Sequence, residues 1–155
     1  MSLDSRRYFG MGTSINWKKV ILGGLLAGLL INVVEFVVNG WLLKENWAAA
    51  MKVIPYAEPM GVLQMVALNV SGFVVGIFTI WLYAAIRPRY GAGPKTAACA
   101  GAAVWTLGYL LASVTPMVMH LFPRRLMAIG IAVGLVELIV AAVVGAAVYK
   151  EEPAS

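Results

Sequence analysis

The chain is written in long apolar runs separated by short polar breaks. Four stretches, about 17–43, 62–86, 95–119 and 126–149, hold almost no charge between their ends. The hydrocarbon core of a bilayer is about 30 Å thick and a helix rises about 1.5 Å per residue, so a spanning helix needs about 20 mainly apolar residues. All four stretches meet that length. Barrel strands would be about ten residues long and would alternate apolar with polar positions, which these runs do not. The breaks hold Pro55 and Pro59, then Pro88 and Pro94, then Pro123. Proline lacks an N–H and clashes with the preceding turn, so it ends helices. Pro116 lies inside the third run and predicts a kink or a stop near Thr115. The pattern therefore predicts an all-α, polytopic membrane protein. Its four-helix transmembrane domain covers 17–149, after a lead over 1–16 and before a tail over 150–155.

Within each run, small and polar residues recur at helical spacing. Gly24, Gly28, Asn32, Glu35 and Asn39 share one face of the first helix. Asn69, Gly72, Gly76, Thr79 and Tyr83 do so in the second. In the third, Gly101, Trp105, Gly108 and Ala112 form the stripe, with Thr106, Tyr109 and Ser113 beside it. In the fourth the stripe is Gly130, Gly134, Glu137, Ala141 and Gly145. Lipid gives helices no hydrophobic reason to associate, so contact relies on close backbone approach and on polar bonds. These faces are expected to meet at the axis of a bundle, with part of the area left for a second protein.

Composition agrees with a bilayer. Of 155 residues, 61% are hydrophobic and 12% charged, against about 45–50% and about 25% in soluble domains. The net charge of +5 does not point to nucleic acid, because the cations flank apolar runs and do not stripe a polar face. They also set orientation. Arg6, Arg7, Lys18, Lys19, Arg87, Arg89, Lys95 and Lys150 lie at one end of the bundle, and Lys44, Lys52, Arg124 and Arg125 at the other. The richer side is expected to be cytoplasmic, with both termini there. The first apolar run exceeds the 7–15 residues, roughly, of a signal h-region, so no cleaved leader is expected. Trp17, Trp41 and Trp47 sit where the first span enters and leaves the bilayer. Residues 45–54 predict a short helix lying on the outer surface, with Trp47, Met51 and Ile54 toward lipid.

Glu35 and Glu137 are the candidate chemistry. Each lies in an apolar span with no basic residue nearby in sequence. A central charged residue such as Asp costs about 2.5–3.5 kcal/mol on insertion scales, so intramembrane acids usually have a role. Asn32 and Asn39, one turn to either side, are the expected partners of Glu35. With Asn69 these residues form a possible intramembrane ion site; otherwise the acids pin the register of the helices. His120, with Met117 and Met119, could offer copper part of a ligand set. Methionine at a membrane edge is more often packing, and no metal site is expected. Cys99, the one cysteine, sits among alanines and reads as a small packing residue. No nucleophile–base pair, phosphate loop or zinc motif is present, so neither an enzyme nor a cofactor is expected.

Ile15-Asn16-Trp17 before the first span, Asn39-Gly40-Trp41 and Trp47 after it, and the segment 105–116 followed by a polar break and a Gly-rich helix carry a resemblance. Together they resemble the small four-helix bacterial membrane proteins filed as a domain of unknown function. The resemblance covers most of the chain and departs at Glu35 and Glu137. It implies a bacterial inner-membrane location and supplies no activity.

Two function classes remain. One is a non-enzymatic subunit or scaffold that packs against itself or another membrane protein through its Gly-rich faces. The other is a minimal proton-coupled transporter or channel using Glu35 and Glu137. Four helices with an acid in the first are superficially similar to small multidrug transporters, which work as dimers. This chain is longer than those and has an added outer loop. An aqueous path to Glu35 would favour transport, and a dry bundle with a flat contact face would favour the subunit.

Overall fold

The computed structural model describes residues 15–55 and 60–150. The leading cations Arg6 and Arg7, Pro59 in the first connecting loop, and the tail beyond Lys150 lie outside the described residues. Five helices follow in order: α1 Trp17–Leu42, α2 Lys44–Met51, α3 Val62–Tyr90, α4 Pro94–Val118 and α5 Arg124–Val148. All but α2 are long and apolar enough to cross a membrane. The outward faces carry the large hydrophobic side chains expected of a lipid-solvated surface, among them Leu22, Leu25, Leu29, Val33, Phe78 and Val136.

The starts and ends of the helices follow local chemistry. Asn16 caps α1, its side-chain oxygen accepting from the Lys19 N–H at 3.0 Å. Pro94 opens α4, where a missing N–H costs nothing. Two prolines behave otherwise than expected. The second span does not end at Ile86 but passes through Pro88 to Tyr90, because a proline in the last turn forfeits little of the ladder. The third does not stop at Thr115 but runs on through Pro116 to Val118. It ends in a Schellman turn: His120 takes a left-handed φ of 52°, and the Leu121 and His120 N–H groups return to Pro116 and Met117.

The stripes meet in pairs, not all at one axis. Gly24 and Gly28 of α1 lie against Gly76, and a Cβ on Gly76 would strike the Gly24 and Gly28 backbone. A Cβ on Gly28 would also come within 2.6 Å of the Phe73 Cα. Gly101 lets α4 approach the Leu138 carbonyl of α5. Gly23, which the stripe left out, faces Gly145 across α1 and α5, each backbone oxygen standing where the other's Cβ would go. Asn32 donates to the Gly28 and Asn69 carbonyls at 2.9 and 3.1 Å, tying α1 to α3. The end bearing the termini is closed by tyrosines. The Tyr149 ring meets Tyr83 edge-on at 5.9 Å, Arg87 covers its face at 5.5 Å, and its hydroxyl accepts from the Asn16 N–H.

Several expected contacts are absent. Gly108 and Gly130 have nothing within 4 Å of a would-be Cβ, so they pack against no other helix. Ala112 is exposed as well. Cys99 is exposed on α4 and is not a packing residue. The helical surface segment exists as α2, but Trp47 does not face lipid: it is half-buried, edge-on to Phe122 at 5.5 Å.

Candidate functional site

The two intramembrane acids, which look independent in sequence, meet on one tyrosine. Glu35 comes from α1, Glu137 from the middle of α5, and Tyr109 from α4 between them. The Tyr109 hydroxyl donates to Glu35 Oε1 at 2.7 Å and lies 3.4 Å from Glu137 Oε2. The first distance is that of a full O–H···O bond, and the second is too long for one. The other Glu35 oxygen accepts from the Asn39 side-chain N–H, and the Asn39 oxygen accepts from Trp47 Nε1 at 2.8 Å. A hydrogen-bonded chain thus runs from α2 through α1 to Tyr109 of α4, whose hydroxyl lies beside Glu137 at the centre of α5.

Glu137 is the anomaly in that chain. It is only 3% exposed, and its Oε1 is buried with no hydrogen-bond partner. Unsatisfied buried polar atoms are rare and call for an explanation. A phenol carries one proton and can satisfy one carboxylate with it at a time. With that proton directed at Glu35, the cluster lacks a proton, or another donor, for Glu137. Among the described residues no group of three or more acids, cysteines and histidines could hold a metal ion.

Local backbone explains why Tyr109 faces inward and Gly108 does not. Residues Thr106–Leu111 form a π-helical turn inside α4, and Phe36–Leu42 form another inside α1. A π turn accommodates an extra residue, so positions beyond it advance by about one around the helix. The stripe through Gly101 and Trp105 therefore continues to Tyr109, and Gly108 and Ala112 rotate outward. Trp105 anchors this register by donating from Nε1 to the Ile131 carbonyl at 2.8 Å. Gly134 leaves room for the tyrosine ring: a Cβ there would come 2.5 Å from Tyr109 Cδ1. The second π turn holds Asn39 below Glu35 and within reach of Trp47.

Of the expected polar residues, Glu35, Asn39 and Glu137 are brought together. Asn32 serves the α1–α3 contact and does not reach Glu35. Asn69 is exposed, and its side chain donates to the Met65 carbonyl at 2.8 Å. Tyr109 and Trp47 were not expected in the site. The available signal was the four-residue step from Trp105 to Tyr109, which regular helical spacing left at the edge of the stripe. His120 is exposed at the end of α4, where it serves as the helix-ending residue.

A shallow apolar groove of about 420 Å³ runs beside the cluster between α1 and α5, with Leu30, Val34 and Val136 among its walls and Glu137 in its lining. No family model, curated protein or solved structure matches the chain.

Proposed function

We propose that this multi-pass membrane protein is a minimal proton-coupled transporter, with Glu35, Tyr109 and Glu137 as its proton site. The observation that carries the reading is the meeting of two carboxyls from facing helices on one phenol hydroxyl inside the membrane spans. Such a group has no partner in the surrounding hydrocarbon, and intramembrane acids commonly mark proton relays. Glu137 Oε1 is buried with no hydrogen-bond partner, so a proton taken up by the cluster has a carboxyl oxygen to bind. The polar chain leads only toward the loop end. Toward the termini the interior is filled by close glycine contacts together with the buried Val20, Thr79, Ile80 and Leu138, then by tyrosines. The groove that reaches Glu137 has apolar walls, so the transport reading rests on the carboxyl–phenol cluster and not on an aqueous path. With both termini in the cytoplasm of a bacterial cell, as the cation count favours, the polar end faces outward.

The subunit reading has support of its own. Residues 62–71 of α3 are exposed on every face, Gln64, Asn69 and Ser71 included. Polar side chains left toward lipid are where another membrane helix finds hydrogen bonds.

The test measures proton uptake by the full chain reconstituted in vesicles, by pH-jump titration and infrared difference spectroscopy. Wild type should take up a proton at a carboxyl, and a double Glu35→Gln, Glu137→Gln variant of unchanged helicity should not. Vesicle proton flux should vanish with it. Equal uptake in wild type and the double variant would remove the proton site and leave the subunit reading the better one.

A further inference from the structure

We infer that the cleft between α2 and the start of α5 is a binding site for an anionic phospholipid. The cleft has a volume of about 470 Å³ and lies where the chain crosses from the bilayer to its surface. Its walls are apolar: Ala50 and Val53 on the α2 side, Leu126 and Ile129 on α5. Its polar lining, among the described residues, is Asn46 and Arg125. That division matches a molecule with an acyl chain below and an acidic head above.

The charge around the rim selects the sign of the head. Lys44, Lys52 and Arg124 are exposed at the same end, and Glu45 is the one acid described there. Two arginines occupy the first turn of α5, where the helix dipole disfavours cations. That turn holds no acidic residue and no capping side chain, so the chain supplies nothing to offset them. An ester phosphate between Arg125 and Asn46 would do so. Basic pockets between membrane helices hold acidic lipid heads on the cytoplasmic side of membranes, and the same charge chemistry is available to this cleft at the loop end. One wall is tied to the other by Trp47 of α2, which rests on Phe122 just before α5, and Ala50 in the lining is buried. The lipid would also brace Trp47, the outer end of the polar chain.

Native mass spectrometry of the full chain in a neutral detergent tests this, with dioleoyl phosphatidylglycerol and dioleoyl phosphatidylcholine as probes. Wild type should retain the anionic lipid at least about fivefold more tightly, the equivalent of about 1 kcal/mol for one cation near a membrane surface. Arg125→Gln should lose that preference, and Lys150→Gln at the opposite end should keep it. Ala49→Trp, which fills the cleft, should weaken both lipids. Equal retention of the two lipids by wild type would overturn the site. So would an unchanged preference in Arg125→Gln, or equal thermal stabilisation by glycerol phosphate without acyl chains.

Discussion

The two ends of the bundle are built by different rules. Toward the termini, α1, α3, α4 and α5 touch backbone to backbone through Gly23, Gly24, Gly28, Gly76, Gly101 and Gly145. Toward the loops, the helices separate, two π turns interrupt the ladders, and side-chain hydrogen bonds take over from glycine contacts. The first half is held by shape, and it tolerates no added atom. The second is held by a few side-chain hydrogen bonds.

The largest expected effect is at the tight end. Gly76→Leu should destabilise by about 3 kcal/mol or more, because the clash is with backbone and no side chain can move aside. Gly108→Leu, with open space around it, should stay within about 0.5 kcal/mol. Thermal unfolding in detergent compares them, and similar losses for both would mean that the two halves are not packed differently.

Next comes Glu35. Glu35→Leu should cost about 1–3 kcal/mol, because it strands the Asn39 amide N–H and leaves the Tyr109 hydroxyl only the longer contact to Glu137. Glu35→Gln should be tolerated, because its amide oxygen can accept from Asn39 while its N–H donates to the Tyr109 oxygen, whose own proton can turn to Glu137. If Leu and Gln unfold at the same temperature, the polar chain does not hold this end together.

Gly134→Ala sharpens the comparison from a third position. One methyl group 2.5 Å from the Tyr109 ring should push the phenol away from both acids. A loss of about 1–3 kcal/mol is expected, together with a change in tyrosine absorbance. An unchanged tyrosine signal at full stability would place the ring elsewhere.

The smallest effect is expected at Trp47. Trp47→Phe removes the bond to Asn39 but leaves a ring to meet Phe122. It should cost about 0.5–1.5 kcal/mol. A cost equal to that of Gly76→Leu would show that the loop end, not the glycine contacts, limits stability.

Much of this molecule was legible in its sequence because its main determinants are local. Twenty or so apolar residues between prolines dictate a membrane helix whatever surrounds them. The steps from Gly24 to Gly28, Gly72 to Gly76 and Gly134 to Glu137 marked the buried faces of α1, α3 and α5, where helical spacing is regular. Regular spacing failed in α4. A π turn moves every later position by about one residue, and nothing in the string Thr106-Leu-Gly-Tyr announces it. Gly108 and Ala112 therefore looked like interior positions, and Tyr109 like their neighbour. Likewise Asn32 stood as close in sequence to Glu35 as Asn39 did, and only the approach of α3 drew it to the Asn69 carbonyl. The sequence alone determined that two acids would lie in the membrane. Their meeting on one hydroxyl was decided by the tertiary structure, because it depends on three helices crossing at one depth, which no spacing within a single helix encodes.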